Sequence, residues 1–116
     1  MYKHPEWSYS AVLYELNIRQ FTLEGTLNAA IERLPFLRSI GIDVIWLMPI
    51  YEQCIEKGIG SPYSIKDYKK VNEDYGTLED LKSLVSKAKA KDMMVILDWV
   101  ANHTSWDNAW IDNKDW

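Results

Sequence analysis

The stretch Met94-Val95-Ile96-Leu97-Asp98-Trp99-Val100-Ala101-Asn102-His103 constrains this chain most. An apolar run of strand length ends abruptly at a carboxylate, and an amide and an imidazole follow within five residues. A buried parallel strand delivers polar groups to its C-terminal mouth in this way, where open sheets and barrels alike hold their ligands. A buried strand is therefore expected over 93–98, with Asp98 at its end.

The preceding residues supply the layers such a strand needs. Residues 1–10 carry no period and read as a surface lead-in, 11–16 as a first strand, and 17–26 as the loop after it. From Leu27 the apolar positions Leu27, Ala30, Ile31, Leu34 and Leu37 fall three and four apart, predicting a helix capped by Thr26 and stopped by Gly41. Pro35 lies inside it, and a kink or break is expected there. Residues 43–49 form a second apolar run, expected to be buried on both faces.

The segment 50–76 holds Gly58, Gly60, Pro62 and Gly76 and is too long for an ordinary connection, so it reads as a functional loop with some local structure. Thr77-Leu78-Glu79-Asp80 is a capping-box pattern, followed by the stripe Leu78, Leu81, Leu84, Val85 and Ala88. Lys87, Lys89 and Lys91 suit the negative end of that helix. Strand, helix, strand, helix, strand in this order predicts parallel strands joined by right-handed crossovers. The tail from Thr104, with Trp106, Trp110 and Trp116, predicts no regular element.

Composition narrows the functions available. With 116 residues and 47% apolar content the chain is expected to be one globular piece, and its formal charge of -4 without basic clusters argues against nucleic acid or an anionic membrane as partner. No apolar run reaches the length of a membrane span, and the first seven residues lack a signal-peptide core, so a cytoplasmic location is favoured over export. The single Cys54 cannot form an internal disulfide, which permits a reducing compartment. There is no glycine-rich phosphate cradle, no zinc-type spacing of Cys and His, and no Gly-x-Ser-x-Gly elbow.

Asp98, Asn102 and His103 are the first candidate group. Asp98 can accept hydrogen bonds, His103 can donate to a neutral polar ligand or move a proton, and Asn102 offers a carbonyl oxygen to a hard cation such as calcium. Taken singly, each has a plain structural reading: a turn cap or a surface histidine. Tyr63, Tyr68 and Asp67 are the second group. Tyr63 suits stacking on a ligand ring and pinning of the loop equally, Tyr68 reads as a pin, and Asp67 as a brace behind them.

Asp98-Trp99-Val100-Ala101-Asn102-His103 resembles the Asp-x-Val-x-Asn-His signature of the α-amylase family of glycoside hydrolases, family 13. Val12-Leu13-Tyr14-Glu15 with Arg19-Gln20-Phe21 resembles that family's first barrel strand and loop. Residues 41–49 resemble the second strand, and 60–76 the loop beyond it. The resemblance implies a partial TIM (β/α)8 barrel, its first three parallel strands with two intervening helices, spanning 1–116 as the N-terminal part of an α-glucan-acting catalytic domain.

It implies a retaining mechanism with a carboxylate nucleophile and a carboxylic acid as acid/base. In the family these groups lie at or after strands four, five and seven, so no catalytic residue is assigned in this chain and hydrolysis by it alone is not expected. The implied roles are sugar contact for His103, stacking for Tyr63, bracing for Asp98, and support of the following loop for Asn102, through calcium in members that bind it. The implied partner is an α-glucan or maltooligosaccharide. Lys89 and Asp92 stand where relatives often have His and Gly. The alternative is a non-catalytic amylase-like scaffold or binding subunit. Three strands cut from a barrel leave two open edges, so self-association is expected.

Overall fold

The computed structural model describes residues 2–54 and 60–113, so Gly58 and Trp116 of the sequence reading lie outside the described residues. A short 3-10 turn, Glu6–Tyr9, leads into β1 (Leu13–Leu16), α1 (Ile18–Phe21), α2 (Leu27–Ser39) and β2 (Val44–Leu47). The chain continues through β3 (Tyr51–Gln53), β4 (Ile65–Val71), α3 (Leu78–Lys89) and β5 (Met94–Leu97). β1, β2 and β5 form a parallel sheet in that spatial order, with Leu13 opposite Val44 and Val44 opposite Met94. The three strands expected from sequence are present, each shorter than its apolar run.

Period-two alternation sorts this sheet into two faces. Leu16, Ile45 and Leu47 join the buried cluster with Leu27, Ile31, Leu34 and Leu37 of α2 and Leu84 and Ala88 of α3. Leu13 and Glu15 of β1 share the opposite face with Val44 and Trp46 of β2 and Met94 and Ile96 of β5. The expectation that β5 is buried is corrected: Met94, Ile96 and Leu97 are 43%, 39% and 43% exposed. The reason is position, since β5 is a sheet edge while β2, in the centre, is covered along most of its length.

α2 runs unbroken through Pro35, so of the expected kink or break the break does not occur. An interior proline costs about 3 kcal/mol, whereas burying Leu27, Leu34 and Leu37 contributes about 1.5–3 kcal/mol each, and Pro35 itself lies on the exposed face. Packing decides the outcome. On α3, Leu84 and Ala88 are buried while Leu78 and Val85 of the predicted stripe are exposed, because the helix meets α2 and β5 on one flank only.

Both long helices begin and end as local chemistry requires. Thr26 accepts the Ala29 N–H, and the Thr77 hydroxyl accepts the Asp80 N–H while Asp80 accepts the Thr77 N–H, completing the capping box. The ends share a second motif. At α2 the Ile42 N–H donates to the Leu37 carbonyl and the Gly41 N–H to that of Arg38; at α3 Met93 donates to Ala88 and Asp92 to Lys89. These are Schellman closures with the left-handed position filled by Gly41 (φ 90) and Asp92 (φ 55).

Three further elements lie in stretches read as loop. α1 is a single turn whose Asn17 side chain accepts the Arg19 N–H. β3 and β4 form an antiparallel ribbon within 50–76, irregular in register around Glu52. Ile65-Lys66-Asp67-Tyr68-Lys69-Lys70-Val71 is too polar to signal a strand alone, and it is held by pairing with β3 and by the tail, where the Ser105 N–H donates to the Ile65 carbonyl.

Candidate functional site

β5 delivers Asp98 to the sheet's C-terminal end: the Asp98 N–H donates to the Leu47 carbonyl at 2.9 Å, extending the ladder by one residue. By alternation its carboxylate falls on the face of Met94 and Ile96, which also carries Glu15. The ribbon then folds against this mouth. The Tyr51 hydroxyl donates to the Asp98 carbonyl at 2.8 Å, and the Tyr68 hydroxyl lies 2.7 Å from the Val100 carbonyl and 2.6 Å from that of His103. One phenolic proton is therefore shared between two backbone acceptors.

Tyr63, from the turn before β4, brings the predicted residues together. Its hydroxyl lies 3.5 Å from Asp98 Oδ2, and its carbonyl oxygen is 3.2 Å from His103 Nε2. Asn102 Nδ2 lies 3.0 Å from His103 Nδ1. With the amide nitrogen donating to Nδ1, Nε2 carries the imidazole proton and donates to Tyr63. In that tautomer the Nε2–H faces the Tyr63 carbonyl. Burial holds the Tyr63 hydroxyl above its ordinary range, reinforced by the negative charges of Asp98 and Glu15. It thus stays a donor toward Asp98.

Tyr63, Asp98, Asn102 and His103 form one cluster. Asp67 stands apart, its carboxylate accepting the Lys69 N–H at 2.8 Å within its own strand. Tyr68 joins the cluster through the backbone and stacks on Trp110 at 5.3 Å with the planes 5° apart. A recess of about 360 Å³ beside His103 is lined by Tyr68, Trp99, Asn102 and Trp110 among others. A recess of about 420 Å³ at the strands' N-terminal ends, lined by Trp7, Asp43, Lys89 and Met94, lies away from these polar groups.

Sequence reasoning missed Tyr51 and Glu15. Glu15 was detectable as the charge in an otherwise uncharged strand, and Tyr51 as an aromatic two residues past the proline that ends the second apolar run. As to calcium, no group of three or more His, Cys, Asp or Glu that could hold a metal ion occurs among the described residues. Asn102 offers one amide oxygen where calcium takes six to eight oxygens, so these residues do not make a calcium site by themselves.

The comparisons with known proteins agree with this architecture. The family description "Alpha amylase, catalytic domain" matches residues 7–115, and the chain belongs to that family of glycoside hydrolases. It is 38% identical over 109 residues to the trehalose-6-phosphate hydrolase of Bacillus subtilis (strain 168), covering 90% of this chain and 19% of that protein. The oligo-1,6-glucosidase of Heyndrickxia coagulans is 34% identical over 110 residues, covering 90% of this chain and 19% of that protein.

Among solved structures, an α-amylase from Lactobacillus plantarum superimposes with a TM-score of 0.83 at 36% identity, covering 87% of this chain and 25% of that one. The chain therefore spans about a fifth of the length of the curated relatives it matches. The fold is a partial (β/α)8 barrel. The relatives' names include a 1,6-glucosidase and a trehalose-6-phosphate hydrolase, so family membership does not narrow the bond to α-1,4. No described helix is long and apolar enough to cross a membrane.

Proposed function

We propose that residues 1–116 are the N-terminal part of a retaining catalytic domain acting on α-glucosidic bonds, with starch-type and maltodextrin α-1,4 linkages as the favoured substrates. The observation that carries this reading is the convergence of Tyr63, Asp98 and His103 at the mouth of β5. His103 offers its Nε2–H to a sugar hydroxyl in exchange for the Tyr63 carbonyl. Tyr63 presents its ring as a platform, Asp98 fixes the Tyr63 hydroxyl, and Asn102 sets the imidazole tautomer. Any calcium in a longer parent takes most of its ligands from elsewhere, with Asn102 supplying one oxygen.

The nucleophile and acid/base carboxylates belong to later strands, so the 116-residue chain alone binds sugar without cleaving it. A chimera tests this: residues 7–115 replace the matching segment of the B. subtilis trehalose-6-phosphate hydrolase. The expected outcome is a glycosidase whose kcat/KM falls about 100-fold on His103→Ala, the scale of losing one donor that acts in the transition state. A folded chimera with no activity on any α-glucoside favours the scaffold alternative. Hydrolysis of maltotriose by the isolated chain overturns the claim of incompleteness.

A further inference from the structure

Arg19, on the one-turn α1, gathers groups from three other segments. Nη1 donates to the Gly60 carbonyl at 2.8 Å and Nη2 to the Tyr75 hydroxyl at 3.2 Å, with the guanidinium 6.0 Å from the Tyr75 ring centroid. With the Gln53 amide oriented to satisfy both its atoms, its oxygen accepts from Arg19 Nη2 at 2.8 Å and from Asn72 Nδ2 at 3.1 Å, and its nitrogen donates to the Ser61 carbonyl at 3.1 Å. That same carbonyl accepts the Ser64 N–H at 3.1 Å and closes the turn 61–64. The Ser61 hydroxyl oxygen accepts the Tyr63 N–H at 3.3 Å within it.

We infer that Arg19 is a positioning residue: through Gln53 and Gly60 it fixes the turn 61–64 and so places Tyr63 against Asp98 and His103. A guanidinium suits the task because its planar fork reaches acceptors in several directions at once, which a lysine ammonium at the end of a flexible stem does not hold in fixed geometry. Gly60 has φ 70, and a Cβ there meets Arg19 Nη1 at 3.5 Å, so the glycine serves the backbone conformation that turns its carbonyl to Arg19. The consequence for a sugar rests on the reading of Tyr63 given above, whereas the placement of Tyr63 does not.

The test is nuclear magnetic resonance of the 116-residue chain, following the ring signals of Tyr63 and His103, the Ser64 amide, and the Val44 and Ile45 amides as a control in the central strand. Arg19→Gln should shift both ring signals and remove protection of the Ser64 amide while the control amides stay in place, and Arg19→Lys should restore part of the shift. Gln53→Glu keeps an acceptor for Arg19 but removes the donor to Ser61, and it should move Tyr63 in a well-folded protein. Unmoved Tyr63 and His103 signals in folded Arg19→Gln overturn the inference. If Arg19→Gln does not fold, Gln53→Glu decides alone: a shifted Tyr63 supports the inference and an unshifted one overturns it. No sugar enters the measurement, so failure of the glycosidase reading is separately visible in the chimera.

Discussion

The Tyr68 hydroxyl lies 2.6 Å from the carbonyl oxygen of His103, closer than to its second acceptor, Val100, at 2.7 Å. A side chain of the ribbon thus holds the backbone at both ends of the segment that presents Asn102 and His103. Asn102 and His103 are exposed, so this backbone anchor matters more to their placement than packing does.

Tyr68→Phe keeps the ring stacked on Trp110 and removes one donor from two carbonyls. The expected loss is about 1 kcal/mol of stability, the ordinary worth of a part-buried hydrogen bond. Urea unfolding reads that loss, and a broadened or shifted His103 ring signal reads the released loop. An unchanged midpoint together with an unchanged His103 signal would show that the stack alone suffices.

Alkaline titration should find Tyr63, with Tyr51 and Tyr68, among the tyrosines that hold their protons longest. The Tyr63 hydroxyl is held above the ordinary value of 10.0, first by burial and then by the charges of Asp98 and Glu15. The folded state therefore keeps the proton longer than the unfolded chain does. This contribution to stability is fully present below pH 10 and is lost as pH rises from 10.0 through the raised folded value. Ultraviolet difference titration of wild type against Tyr63→Phe isolates this phenolate. Asp98→Asn should lower its midpoint toward the ordinary value, and a midpoint that stays put would leave the effect to burial and Glu15.

Asp92→Gly should stabilise the protein. Asp92 fills a left-handed position (φ 55) that Gly41 fills in the equivalent closure of α2. Relief of left-handed strain is worth about 1–2 kcal/mol, offset by about 0.5–1 kcal/mol of added chain entropy in the unfolded state. A net gain of up to about 1.5 kcal/mol in chemical unfolding is expected; a loss would show that Asp92 holds its turn by a local bond worth more than the strain.

The chain should associate with a second copy of itself. β1 and β5 bound the three-stranded sheet, neither contains Lys or Pro to discourage pairing, and Leu13, Met94, Ile96 and Leu97 are 51%, 43%, 39% and 43% exposed. Edge pairing or exchange of elements buries these groups together. Light scattering across a concentration series should show a dimer or larger species, and a folded monomer at every concentration would refute this.

The sequence by itself determined the order of the three strands and two long helices, both N-caps, and the signature at the end of β5, because each of these rests on local periodicity or on neighbours a few residues apart. It also assembled the candidates Tyr63, Asp98, Asn102 and His103 by pattern. Only the tertiary structure decided that α2 continues through Pro35, since the burial that outweighs the proline comes from the sheet. It also decided that β5 is an exposed edge and that Asp67 turns to Lys69 while Tyr51, Tyr68 and Arg19 support the site. The support from Tyr51, Tyr68 and Arg19 depends on hydrogen bonds that span 32 to 56 residues, as in Tyr68 to Val100, Tyr51 to Asp98 and Arg19 to Tyr75. A one-dimensional pattern carries no term for partners so far apart.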